Sequence, residues 1–159
     1  MMTTSVRTPR AAPHCSGEVM QARFKVAPCP NDAPPRAEDA YRVGIMRRIA
    51  AARLRYCGLA SMTDDVMIIV SELLTNAVLH SGSQDISLVI TVQGGFLRVT
   101  VTDGMPGTAT RRQGGTHSES GRGLHLVQAI AEVNNGTWGT DNAGATTWCT
   151  LAVSAQERP

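Results

Sequence analysis

The chain has 159 residues, enough for one domain with a core of its own. Its hydrophobic fraction of 42% and charged fraction of 18% are those of a soluble globular protein, and a net charge of +2 lacks the basic excess of a dedicated nucleic-acid binder. No apolar run approaches the ~20 residues of a membrane span, and residues 1–13 lack the apolar stretch of a secretory signal, so a cytoplasmic protein with no membrane partner is expected. Four cysteines (Cys15, Cys29, Cys57, Cys149) are widely spread with no C-x-x-C pair, which argues against zinc and for reduced thiols.

Residues 1–20 are rich in Ser, Thr, Pro and Ala without periodicity and read as a disordered leader; residues 21–155 form the expected domain. A short strand at 23–27 and a proline cluster at 28–35 precede a helix over 36–57, with Gly58 placed to end it. The next helix starts with Thr63 as expected N-cap and Asp64 and Asp65 in the first turn, where the helix dipole favours them. Val66, Ile69, Val70, Leu73, Leu74, Ala77 and Val78 follow the helical spacing, and Ser81 and Gly82 stop it. Strands at 86–92 and 96–103 are joined by a Gly94-Gly95 hairpin turn. Residues 104–120 lose periodicity and form a long loop, a length that usually means function. A helix at 122–132 and strands at 137–141 and 146–153, with a turn at 142–144, close the chain. The order predicts an α+β fold: a two-layer α/β sandwich whose mixed, largely antiparallel sheet packs on helices.

Glu72 and Asn76 share one helix face at the border of the apolar stripe. A carboxylate at a core margin is uncommon unless something needs it there. Taken alone, the pair also fits an ordinary side-chain hydrogen bond. Asp103-Gly104 at a strand end fits a plain turn, or an acceptor for an exocyclic amine. Gly121-Arg122-Gly123-Leu124 opens a helix, where backbone N–H groups can meet a phosphate. It is neither a Walker A loop nor a Rossmann fingerprint.

The combination, E-x-x-x-N on a helix, D-G-x-P-G after a strand, a loop, then G-R-G-L opening a helix, resembles the ATPase superfamily of DNA gyrase, heat-shock chaperones, histidine kinases and mismatch-repair ATPases, with its Bergerat-type ATP-binding fold. Residues 71–80 look like the N box, 99–107 the G1 box and 121–131 the G2 box. The ending Trp138-Gly139 with Gly144-Ala145-Thr146-Thr147-Trp148 resembles the actinobacterial branch of the anti-sigma-factor serine/threonine kinases. The resemblance covers residues 22–153.

It implies ATP and Mg²⁺ as cofactors. Asn76 would ligate Mg²⁺, Glu72 would act as general base, Asp103 would accept from the adenine amine, and Gly107 would let backbone pass close to the base. Gly121, Arg122, Gly123 and Leu124 would hold the phosphates, with Arg122 adding charge at the γ-phosphate. His80 and Thr146 join the implied nucleotide contacts; a helix-end histidine facing the dipole is the plain reading of His80. The sequence departs from the family at Met105, where the G1 box has another pattern, and at Ala145, where relatives often carry Lys. A stand-alone domain of this kind resembles a partner-switching kinase that binds a sigma factor and phosphorylates an anti-anti-sigma (STAS) antagonist; relatives often form homodimers. The alternative is a regulatory binding module, ATP-dependent or nucleotide-free, without phosphoryl transfer.

Overall fold

Alternation of buried and open side chains builds the centre of the sheet. In β2 (Asp85–Gln93), Ile86, Leu88, Ile90 and Val92 face the core; in β3 (Phe96–Thr102), Leu97, Val99 and Val101 do. Gly94 and Gly95 between them have φ of 60° and 80°, the left-handed pair that a two-residue hairpin turn requires. The structure is a computed structural model that describes residues 17–26, 37–80, 85–103, 119–141 and 145–153; for His80 and residues 119–123 it describes the backbone alone.

β1 (Gly17–Lys25), β4 (Trp138–Asp141) and β5 (Thr146–Ala152) complete a sheet of order β1-β2-β3-β5-β4. Every pairing is antiparallel, so the sheet expected to be mixed has no parallel pairing among the described strands. Two helices, not one, separate β1 from β2, which returns the chain antiparallel. β4 does run parallel to β3, but β5 is inserted between them. The first strand begins before the expected residue 23 and claims residues 17–20 from the leader. Val19 and Met20 are consecutive and both buried beside an irregularity between Glu18 and Met20, which breaks the alternation of a regular strand.

Helices α1 (Ala37–Tyr56), α2 (Thr63–His80) and α3 (Glu119–Val133) cover one sheet face and enclose the core. α1 ends in a Schellman motif: Leu59 N–H donates to the Leu54 carbonyl at 2.8 Å, Gly58 N–H donates to the Arg55 carbonyl at 3.1 Å, and Gly58 has φ 76°. α3 ends the same way, with Asn135 at φ 54° and Gly136 N–H donating to the Ala131 carbonyl at 2.8 Å. A 3-10 turn (Ala60–Met62) runs directly into α2. Thr63 is therefore not an N-cap. Its φ of −58° and ψ of −48° are helical, and its hydroxyl is buried without a hydrogen-bond partner. The expectation of four reduced thiols also fails. Cys57 is disulfide-bonded to a partner outside the described residues, since wide spacing in sequence does not prevent proximity in space. Cys149 is a free, buried thiol, and burial pushes its pKa up to about 12. No described helix is long and apolar enough to cross a membrane.

Candidate functional site

α2 has two polar flanks with different neighbours. Ser71, Thr75 and Val78 line a cleft of about 200 Å³ against Ala40, Val43, Gly44 and Arg47 of α1. Asp65, Glu72 and Asn76 lie on the other flank at i, i+7 and i+11. That flank faces α3, because Asp65 accepts a hydrogen bond from the side-chain amide of Asn134, just past the end of α3, at 3.0 Å. The chemically marked pair thus sits on the flank of α2 turned towards α3, away from the α1 cleft.

Asn76 is 5% exposed, and its Oδ1 is buried without a hydrogen-bond partner. An orphaned amide oxygen in a core margin costs roughly 1–3 kcal/mol unless a ligand completes it. Glu72, one turn earlier, is half-buried and makes no hydrogen bond or ion pair with other described residues. The pair is therefore not a mutual hydrogen bond, the plain reading open to it in sequence. An oxygen donor of this kind suits a hard cation such as Mg²⁺, which takes few protein ligands and several phosphate oxygens. Among the described residues no group of three or more His, Cys, Asp or Glu could hold a metal by itself, so a cation here would depend on the oxygens of a bound phosphate.

Asp103 follows β3 and continues its helix-facing alternation after Val99 and Val101. It is 2% exposed, and its N–H donates to the Ala145 carbonyl at 2.9 Å, pinning the ends of β3 and β5 together. The register separates two neighbouring threonines. Thr146 pairs with Thr102 and exchanges a hydroxyl hydrogen bond with it at 3.2 Å on the face away from the helices. Thr147 pairs with Val101 and is buried on the helix-facing side, two residues along the ladder from Asp103. Thr146, the sequence-derived candidate, therefore lies on the sheet face opposite Asp103 and the helices. Thr147, which the sequence motifs do not single out, is the threonine that the β3–β5 register places on the helix-facing side with Cys149 and Leu151.

Leu124 is half-buried and packs on the hydrophobic core, so a phosphate contact from its side chain does not fit. Gly121 and Arg122 lie among the first four residues of α3, where N–H groups have no intrahelical acceptor. The helix starts at Glu119, earlier than expected, which leaves Gly123 one residue deeper. The side chains of Arg122 and His80 lie outside the described atoms, and Gly107 and Met105 lie outside the described residues.

Helices packed on one face of an antiparallel sheet define an α+β class, with Glu72 at the margin of its core and Asn76 and Asp103 buried there. The histidine kinase-like ATPase domain matches residues 36–150, and the chain belongs to that family of ATP-binding domains. No curated protein matches the chain.

Proposed function

We propose that the protein is an ATP-dependent protein serine/threonine kinase of a partner-switching system, phosphorylating a STAS-type anti-anti-sigma antagonist and binding a sigma factor. The observation that carries the catalytic half is the orphaned Asn76 Oδ1 one helical turn from Glu72, which has no partner among the described residues. In this reading a Ser or Thr hydroxyl of the antagonist attacks the γ-phosphorus of ATP. The O–P bond to the β-phosphate breaks and ADP leaves, while Glu72 takes the hydroxyl proton. Asn76 would hold Mg²⁺, which when bound supplies positive charge against the phosphates. Asp103 would accept from the adenine amine, with the Thr147 hydroxyl beside it as a second polar group at the base. The partner assignment rests on the resemblance of residues 138–148 to the anti-sigma kinases.

A second reading, a binding module without phosphoryl transfer, draws on Ala145. This residue is 5% exposed and stands where relatives often carry a lysine. One experiment separates the two. ATP binding is measured by calorimetry with Mg²⁺, and transfer of labelled phosphate to a purified STAS antagonist is followed in parallel. The kinase reading expects binding in both wild type and Glu72→Ala, with labelling lost in the variant. Labelling of the antagonist by Glu72→Ala at the wild-type rate removes Glu72 as the base. ATP binding without labelling by wild type favours the module, and no binding at millimolar ATP overturns every ATP-dependent form.

A further inference from the structure

Helix α1 is apolar on two sides. Val43, Ala50, Ala51 and Leu54 are buried in or beside the core. Roughly opposite them, at ~100° per residue, stand Ile45, Ile49, Ala52 and Tyr56. These four are spaced by four, three and four residues, the a/d spacing of a two-helix seam. Tyr41 extends the stripe by one turn, to roughly 22 Å at 1.5 Å per residue. Tyr41 is 63% exposed, Ile49 41% and Tyr56 60%, so the stripe faces solvent. A helix with only one neighbour to bind carries polar residues on that side.

The charges beside the stripe state what it can bind. From Ala40 to Tyr56 there are five arginines and no acidic residue. Arg48 and Arg55 occupy the position that flanks the seam before each a residue. Both are exposed and have no ion pair or hydrogen bond with other described residues. On the other flank Arg53 donates to the Val19 carbonyl at 2.9 Å and lies 5.8 Å from the centre of the Tyr56 ring, which holds that ring in place along the seam. In paired helices such flanking charges choose the partner. A second copy of α1 would set arginine against arginine, so self-pairing is disfavoured. An acidic helix meets complementary charge on the flanks and apolar side chains in the seam.

We propose that the outer face of α1 is a docking seam for a helix of a partner protein with apolar residues at a/d spacing and Asp or Glu on its flanks. This surface lies apart from Glu72 and Asn76 on the α3-facing flank of α2 and does not require phosphoryl transfer. The test uses the full chain and two labelled three-heptad peptides. Both carry Leu at a and d, with Glu at the flanking positions of one and Lys at those of the other. Anisotropy is expected to show binding of the Glu peptide at least tenfold tighter than the Lys peptide, weakening as salt rises. Ile49→Glu should lose at least tenfold, and the double variant Arg48→Glu/Arg55→Glu should reverse the preference between the peptides. All these positions are exposed; circular dichroism and unchanged ATP affinity check that the variants fold. The proposal is overturned if neither peptide binds, if both bind alike, or if the charge reversal leaves the preference unchanged. It is also overturned if sedimentation shows a homodimer that Ile49→Glu dissociates, or if phosphatidylserine vesicles bind through Ile49 while the peptides do not.

Discussion

Asn134 donates its side-chain amide to Asp65 Oδ2 at 3.0 Å, joining the end of α3 to the first turn of α2 across 69 residues of chain. The same amide nitrogen also donates to the Ile130 carbonyl at 2.8 Å, so the side chain is held at both ends. Asp65 lies on the same flank of α2 as Glu72 and Asn76, and this contact sets how far α3 stands from them. A hydrogen bond to a carboxylate contributes about 1.5–3 kcal/mol. Asp65→Ala and Asn134→Ala should each lower unfolding stability by about that much, and the double variant should cost clearly less than the sum. ATP affinity should fall in all three. Denaturant midpoints and calorimetry measure both, and full additivity would exclude the link.

Asn76→Ala should separate stability from binding. The amide oxygen it removes is buried and has no partner among the described residues, so its loss relieves a desolvation cost of about 1–3 kcal/mol, offset in part by a small cavity. The unfolding midpoint should stay level or rise, while Mg²⁺-dependent ATP affinity falls by at least tenfold. Stability held back by a functional group is a familiar trade-off. A variant that is destabilised by 2 kcal/mol or more and still binds ATP normally would make Asn76 a structural residue.

Thr146 and Thr147 offer a test of the register. Thr147→Val keeps shape and removes a hydroxyl on the helix-facing side; it should weaken ATP binding severalfold. Thr146→Val removes the hydroxyl bonded to Thr102 on the opposite face of the sheet; it should cost about 1 kcal/mol of stability and leave ATP affinity unchanged. The reverse pattern would mean that the nucleotide approaches the other face of β5.

The threonines show where sequence reading stops. α2, β2 and β3 were legible because a period of 3.6 or 2 runs through them unbroken, and Gly58 and Gly94-Gly95 carry the backbone freedom that their turns use. The placement of Glu72, Asn76 and Asp103 at the margin of the core was legible because strong periodicity told which side of each element they occupy. β1 was not, since its irregular register buries Val19 and Met20 side by side. α1 was legible as a helix, but its apolar positions belong to two opposite faces, and helical spacing alone does not tell core residues such as Leu54 from exposed ones such as Ile49. The choice between Thr146 and Thr147 needs the pairing partner, which is a long-range fact.

Cys149 predicts an alkaline slope. Burial raises its pKa from the ordinary 9.0 to about 12, because the thiolate would lose its hydration inside the core. Below pH 9 the thiol is protonated in both states and costs nothing. Between about 9 and about 12 the unfolded chain releases the proton and the native chain keeps it, so stability falls as pH rises, by at most about 1.4 kcal/mol per pH unit. Cys149→Ala is less stable at neutral pH for lack of packing, but its stability should fall less steeply above pH 9. Equal slopes in both proteins would assign the alkaline loss to other groups. In native protein at pH 8, Cys149 should also resist aromatic disulfide reagents until denaturant is added.

Gly136 gives the sharpest stability prediction. A Cβ built there would lie 1.7 Å from the Thr150 carbonyl oxygen and 2.5 Å from its carbon, both backbone atoms that no rotamer change can move. Nor can the loop slide, because it is pinned to β5 on both sides of Gly136: Ala152 N–H donates to the Asn134 carbonyl at 2.9 Å and Thr150 N–H donates to the Thr137 carbonyl at 2.7 Å. Gly136→Ala must therefore break this joint between α3 and β5, at a cost of at least about 3 kcal/mol, the upper range for overpacking. Gly94→Ala is the control. Its φ of 60° makes a side chain costly by about 1–2 kcal/mol, yet a Cβ there meets nothing within 4 Å. Thermal or denaturant unfolding of the two variants should rank Gly136→Ala well below Gly94→Ala. If they rank equally, the α3–β5 joint is looser than these contacts require, and α3 is free to shift against the sheet that carries Asp103.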